Sequence, residues 1–305
     1  MQHNAVGLPT PEELRQLNQI HYTRIARDLG ILYLLIIGSI QLGISYSSPL
    51  LIVFLFFLIG CFQNGMISWV HEGSHYNFHR NKKINDRFAD FILGPFGISM
   101  NQYRWHHLAH HKYLGDPEGE VELMAWTSLR GKRLWKEIFK HLVGFYAIQI
   151  LLRKKKFSRN GARFSPPPPR GVMSTLGFLI GNALIFLMCA LQGKWYLYFI
   201  LWIAPLFTVA LLISNFRTIA EHQSDNLQGL VKMPPMSRTF HCGIIQRFLI
   251  APVGFYYHYE HHLYPSIPYH RLPELRKILQ EKKYFENVET VRTKGYFQMI
   301  WALTK

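Results

Sequence analysis

Arg104-Trp-His-His-Leu-Ala-His-His-Lys-Tyr-Leu-Gly-Asp-Pro-Glu118 is the stretch on which the reading of this chain turns. It places four histidines, His106, His107, His110 and His111, within six positions. Three of them, His107, His110 and His111, follow the spacing H-x-x-H-H. On a helix those positions span an arc of roughly 100°, so three imidazoles leave one face. The same spacing returns as His258, His261 and His262, and a third set, His71 and His75, lies four residues apart. Neutral imidazole is the commonest nitrogen ligand for a transition metal. Eight histidines in three helix-spaced sets are too many for one tetrahedral ion and about right for two metals. His106 could replace His107 as a ligand, but it points further from His111.

Around these clusters the composition is that of a membrane protein. The 305 residues are 49% hydrophobic, yet mean hydropathy is only +0.02, so the apolar residues are concentrated in blocks. Two apolar blocks, 29–70 and 172–214, are separated by basic and histidine-rich sequence. They divide into four expected spans, 29–45, 50–70, 172–191 and 195–214, each close to the ~20 residues that cross a bilayer core. Short turns, Tyr46-Ser-Ser48 and Gln192-Gly193-Lys194, make two hairpins of them. If the second span enters the lipid at Leu50, a helix leaves it about 30 Å later, near Val70, and His71 follows at once. Pro205 is expected to kink the fourth span. Asn215, Arg217, Glu221 and His222 follow on the same helix as it exits.

The remaining segments read as polar or interfacial. Residues 90–103, broken by Gly94-Pro95, are too short to span and suggest an interfacial or re-entrant piece. Residues 134–152 have the pattern of one amphipathic helix on the membrane surface. Residues 153–171, basic and then proline-rich, read as a solvated linker. Residues 244–257 are a second short interfacial candidate leading into His258. With four spans, both termini and all histidine sets share one side, and that side holds 33 of the 34 Lys and Arg. The positive-inside rule makes it cytoplasmic. The expected fold is therefore all-α and integral to the membrane, multi-pass, with a cytoplasmic helical cap and a single domain over 1–305.

Each motif has competing readings. His71-Glu72-Gly-Ser-His75 matches H-E-x-x-H, which in a zinc protease supplies two ligands and a general base. That use leaves both H-x-x-H-H sets idle, and the chain contains no Asp-Gly to complete such a site. A metal transporter would place polar ligands mid-membrane, where the expected spans offer as amide side chains only Gln41, Gln63, Asn64 and Asn182. Cys61, Cys189 and Cys242 are scattered and form no thiolate motif. The excess of Lys and Arg suits anionic headgroups at a cytoplasmic membrane face rather than nucleic acid. His79, His141, His241 and His270 lack cluster spacing and read as ordinary polar residues. Glu72, Asp116, Glu221 and Glu260 adjoin or closely follow the clusters and could accept the second N–H of a ligating imidazole.

HEGSH at 71–75, HLAHH at 107–111 and HYEHH at 258–262, in this order and separation, resemble the three histidine boxes of the membrane fatty acid desaturase and hydroxylase superfamily. YLGDPE after the second box, RTIAEH at 217–222 and LYPSIPYHRLPEL after the third are also similar to family segments. The resemblance covers most of 29–280. It implies a non-haem centre of two iron ions held by His71, His75, His107, His110, His111, His222, His258, His261 and His262. It further implies an O₂-dependent desaturase that puts a double bond into a long-chain fatty acyl lipid. A lipid or carotenoid hydroxylase on the same centre is the alternative within the family. Some acyl-CoA members carry asparagine four residues before the lone histidine, where this chain has Thr218. No His-Pro-Gly-Gly of a fused cytochrome b5 and no nucleotide-binding glycine fingerprint occur. Electrons are then expected from a separate ferredoxin, rubredoxin or cytochrome b5.

Overall fold

The computed structural model describes residues 7–114, 129–152, 168–222, 237–286, 292–293 and 295–305. Asp116 and most of the 153–171 linker lie outside the described residues. In order, the helices are α1 (Pro11–Leu17), α2 (Tyr22–Tyr46), α3 (Pro49–Ser74), α4 (Lys82–Leu93), α5 (Met100–Tyr113), α6 (Gly131–Leu142), α7 (Phe145–Leu152) and α8 (Val172–Ala190). They continue with α9 (Tyr198–His222), α10 (Ile244–Leu249), α11 (His258–Leu263), α12 (Leu272–Glu281) and α13 (Tyr296–Thr304). The chain is mostly helical. The all-α expectation is amended by one small feature, a parallel pairing of β1 (Thr239–Phe240) with β2 (Arg292–Thr293).

Among the described residues four helices, α2, α3, α8 and α9, are long and apolar enough to cross a membrane. Their outer faces support that use. Leu34 is 72% exposed and Leu50 81%, and Phe54, Phe57, Leu179 and Leu184 are exposed as well. A helix apolar on all sides has its outer face solvated by lipid, not water. The inner faces bury Ile25, Leu29, Leu32, Ile36 and Ile40 of α2 against Leu55, Ile59, Phe62 and Met66 of α3 within one apolar core.

Three helix boundaries differ from the hydropathy limits, for a common reason. Hydropathy marks where lipid begins, but backbone hydrogen bonding carries a helix past it. Thus α2 starts at Tyr22 rather than 29, α3 runs on through His71 to Ser74, and α9 continues to His222. Pro205 does not break α9. Wide π-helical turns over Tyr198–Ile203 and Leu206–Ala210 flank it, accommodating a ring that has no N–H to donate. The carbonyl of Trp202 there accepts from Gln63 Nε2 of α3 at 2.8 Å. Contact between the two helices is close: a Cβ on Gly60 would sit 2.5 Å from Val209 Cβ.

Two shorter expectations are corrected. Residues 90–103 are not one piece but the end of α4, a 3-10 turn over Gly94–Phe96 and the start of α5. They run along α8, where Gly177 lets the Phe91 carbonyl approach to 2.3 Å of the position a Cβ would take. Residues 134–152 are not one helix. Val143 caps α6, and Gly144, at φ +71°, interrupts the helix before α7 begins at Phe145. The apolar exposure expected of a surface helix is retained by Trp135, Phe139 and Ile148.

The amide side chains in the spans serve as interhelical staples. Asn182 Oδ1 accepts from Tyr198 OH at 2.9 Å and Trp202 Nε1 at 2.8 Å, and its Nδ2 donates to Pro95 O at 3.0 Å. Asn64 Nδ2 donates to Ile250 O at 2.9 Å. Gln41 and Gln192 pair at the far end, where Lys194 also caps α2 through Ile44 O and Ser47 Oγ. Replacing Asn182 by Leu strands several groups in an apolar setting and is expected to cost about 1–3 kcal/mol. Thermal unfolding in mild detergent should show Asn182→Leu several degrees below the parent, whereas Gln41→Leu, whose partner is exposed, should stay near it. Equal midpoints for Asn182→Leu and the parent would remove the staple role.

Candidate metal centre

The histidine sets reach one place from four helices. His71 sits in the last turn of α3, and His75 is its C-cap residue at φ −92°, ψ 9°. The end of α3 is pinned from α5: Arg104 donates to Ser74 O at 2.8 Å and Gly73 O at 3.1 Å and pairs with Asp86. Asn85 adds a bond to Gly73 O at 2.9 Å. Helix α5 itself carries His107, His110 and His111 on one face, as the spacing requires. His222 closes α9. Helix α11 consists of the third box and one further residue, His258–Leu263.

The imidazoles form two adjacent groups. In the first, His71, His75, His107, His111 and His261 bring one ring nitrogen each within 4.8 Å of one another. Its Nε2–Nε2 distances are 2.9 Å for His75 and His107, 3.0 Å for His107 and His111, and 3.2 Å for His111 and His261. In the second, His110, His222 and His262 meet in the same way. His258 joins them, its Nε2 lying 2.8 Å from that of His222 and 3.1 Å from that of His262. The groups abut where the rings of His111 and His262 stack, 4.3 Å between centroids. His106 belongs to neither and packs edge-on against Trp105.

Burial holds His75, His107, His111, His258, His261 and His262 in the neutral form. Burial depresses the pKa of His75 to about 3 and of His111 to about 2. Burial and then neighbouring imidazoles push His107, His258, His261 and His262 well below the ordinary histidine range. The Nε2 atoms of His107, His111 and His258 each face two other imidazole nitrogens, yet one Nε2 carries either a proton or a lone pair and can satisfy only part of that demand, and neither ring nitrogen of His71 has a hydrogen-bond partner. A cation resolves both problems. At a metal–nitrogen length of about 2.1 Å, adjacent ligands stand about 3.0 Å apart on an octahedron and about 3.4 Å apart on a tetrahedron. The spacings found fit the wider coordination sphere, and an all-imidazole donor set suits iron, zinc, copper or nickel.

The carboxylates named from the sequence take different places. Glu72 Oε2 accepts from Tyr269 N–H at 2.9 Å and Asn77 Nδ2 at 3.1 Å, tying the first box to the segment after the third, while Oε1 lies 3.6 Å from His71 Nδ1. Glu221 accepts from Tyr296 OH at 2.9 Å, lies 3.4 Å from Arg217 Nε and approaches His258 Nε2 to 3.7 Å. Glu260 faces away from the imidazoles, accepting from Thr239 Oγ1 at 2.6 Å and from Arg276. Several supporting residues were not singled out from the sequence: Arg104, Asp86, Asn85, Arg276 and Phe255, whose ring lies 4.5 Å from that of His71 under the Arg217 guanidinium. Box adjacency marks Arg104, but nothing in a sequence announces a buried arginine. His141 is a core residue, its ring between Glu137 O and Asn215 Nδ2 at 2.8 Å each.

Helices fit to cross a membrane and buried histidine groups able to hold metal define a membrane metalloprotein. A family model described as fatty acid desaturase matches residues 47–293. The chain belongs to that family, and with it to the desaturase-like oxidoreductases. It is 25% identical over 286 residues to a dihydrorhizobitoxine desaturase of Bradyrhizobium elkanii, covering 87% of this chain and 77% of that one. It is 27% identical to a sphingolipid delta(4)-desaturase of Drosophila melanogaster, covering 73% of this chain and 64% of that one. It is 25% identical to a putative sphingolipid delta(4)-desaturase/C4-monooxygenase of Caenorhabditis elegans, covering 78% of this chain and 61% of that one. The chain thus spans under two thirds of these two sphingolipid relatives.

The depressed histidine pKa values have a consequence for stability. Below about pH 6.5 the unfolded chain binds protons that the folded centre refuses, so stability falls as pH drops toward the folded-state values. Metal-stripped protein in detergent should therefore show a constant thermal midpoint above pH 7 and a progressively lower one from pH 6.5 to pH 5. A midpoint indifferent to this window would mean that the rings are solvated.

Proposed function

We propose that this chain is an O₂-dependent di-iron membrane desaturase that introduces a double bond into a long-chain fatty acyl lipid. The observation that carries the reading is the convergence of nine buried or half-buried histidines into two adjoining groups. We assign one iron to His71, His75, His107, His111 and His261, and the other to His110, His222, His258 and His262. The donor count and the near-3.0 Å nitrogen spacing favour iron over a four-coordinate zinc. When bound, the irons would supply O₂ activation with two external electrons and removal of hydrogen from an unactivated C–H bond.

The chain's own residues hold and shield that chemistry. Glu72 fixes the first box to the third, and Glu221, held by Tyr296 and Arg217, orients the second group at His258. Phe255 covers His71 and stacks on His258, 5.7 Å between centroids, keeping water from that side. Residues 1–305 are taken as one desaturase-like domain, with the spans in two hairpins, a helical cap bearing the boxes, and both termini cytoplasmic. The charge asymmetry supports that orientation. The electron donor is a separate ferredoxin, rubredoxin or cytochrome b5; an acidic one would suit the net charge of +16.

Hydroxylation of the chain is the second reading, favoured by the monooxygenase half of the Caenorhabditis relative's name. A zinc protease built on His71, Glu72 and His75 is disfavoured, because those histidines share their group with His107, His111 and His261. Elemental analysis of the purified protein in mild detergent is expected to give about two metals per chain. His261→Ala and His110→Ala should each lower that content and abolish new unsaturation in a lipid profile taken under oxygen. A single zinc, lost only on changing His71 or His75, would overturn the assignment.

A further inference from the structure

A cavity lies outside the histidine groups, between the first spans and the segments flanking the third box. It has a volume of about 330 Å³. Its walls come from the start of α2, the end of α3, helix α10 and the segment after the third box. Apolar side chains, Leu32, Trp69, Phe248 and Val253, line it, and two guanidinium groups, Arg24 and Arg247, stand among them. Asp28 also reaches the cavity, but its carboxylate is engaged by Arg27 at 2.8 Å and by Tyr269 OH at 2.5 Å. Arg24 comes no nearer to Asp28 than 3.9 Å and is half exposed. Arg247 spends Nε on Cys242 O and lays its plane 4.7 Å from the Tyr256 ring. The local charge is therefore positive.

Two features show that this cavity is more than a packing gap. His270 in its lining is buried and packs edge-on against His21, 5.0 Å between centroids, so that wall is held in place. Val253, in the opposite wall, has φ +56°, a left-handed conformation that a β-branched residue rarely adopts. The strained turn Val253-Gly254 delivers Phe255 against the ring of His71. The cavity thus shares the Val253-Gly254 turn and Trp69, two residues before His71, with the surroundings of the metal centre. Ile244 of α10, in its lining, is 82% exposed.

We propose that this cavity seats the anionic head of a single-chain lipid, a carboxylate or a phosphate, between Arg24 and Arg247, with the first part of the chain along Trp69 and Phe248. Guanidinium groups recognise both anions through charge-assisted hydrogen bonds, and an apolar cavity of this size accepts a chain segment rather than an ion alone. A neutral or amine head gains nothing from two arginines. Only in calling that lipid the substrate does the proposal rest on the desaturase reading.

The test uses the full-length protein in mild detergent and three probes of equal chain length: a fluorescent polyene fatty acid, a lysophosphatidic acid as competitor and the corresponding long-chain alcohol. Energy transfer from tryptophan reports binding, with Trp69→Phe as the control for location. Arg24→Gln is expected to weaken the fatty acid about tenfold and leave the alcohol within about twofold, and Trp69→Phe should remove most of the transfer. Arg247→Gln should act likewise; since Arg247 also holds Cys242 O, the half-exposed Arg24 decides if that variant fails to fold. Competition separates the sources, a phosphate head displacing the probe at lower or higher concentration than a carboxylate. Unchanged fatty acid binding in Arg24→Gln, or equal losses for acid and alcohol, would overturn the site. In turnover, Arg24→Gln should raise KM and spare kcat; unchanged KM with weakened binding would overturn the substrate role alone. Anion-dependent binding without any lipid oxidation would instead retain the site and reject the desaturase.

Discussion

His75, His107, His111, His222, His258, His261 and His262 stand with ring nitrogens 2.8–3.2 Å from a neighbouring imidazole and cannot all be satisfied by one another. Each neutral ring has one proton to give and one lone pair to place, and burial forbids relief by protonation. Once the centre is desolvated, a shared cation is the arrangement that satisfies the lone pairs together. That requirement reaches far into the structure, because α3, α5, α9 and α11 must end or turn at the same spot to within fractions of an ångström. A cluster of this kind is costly to assemble from flexible parts, so the elements that carry it are fixed by other means.

Buried charge does much of the fixing. Arg104 closes the carbonyl end of α3 from α5, Arg217 joins α9 to Ser68 of α3 at 2.7 Å, and Arg276 secures the third box through Glu260. Breaking a buried pair leaves an uncompensated charge and costs several kcal/mol. Such contacts therefore specify position more than they add stability. They lie in a shell behind the histidines, and none consumes a ring nitrogen that a metal would need.

Lipid sets the other constraint. Apolar helices have no reason to prefer one another over hydrocarbon, and here amides and small residues supply the preference. Gln63, Asn64 and Asn182 bond backbone or indole groups of neighbouring segments, and Gly60 and Gly177 admit close backbone approach. The π-helical turns around Pro205 belong to the same economy, since the Trp202 carbonyl is met by Gln63. A cavity with Arg24 and Arg247 in its lining lies at the start of α2 and near the end of α3.

Local spacing and composition carried much of this in the sequence. H-x-x-H-H places three rings on one helix face whatever the fold, and long apolar runs suit lipid whatever their neighbours. Those two patterns were enough to read the spans and the boxes, while His222 was indicated by its place after a span and by the resemblance of RTIAEH to a family segment. Other features depend on partners distant in the chain and were decided by tertiary structure. The division of nine histidines into a five and a four mixes boxes, with His261 joining the first set and His110 and His262 the second. Glu260 follows a box yet turns to Arg276, and Gly144 splits a helix that looked continuous. Arg24 and Arg247, more than two hundred residues apart, share a cavity. Spacing along a helix is fixed by covalent geometry, and so it is legible; which helix faces which is settled by packing and by buried charge, which no single segment encodes.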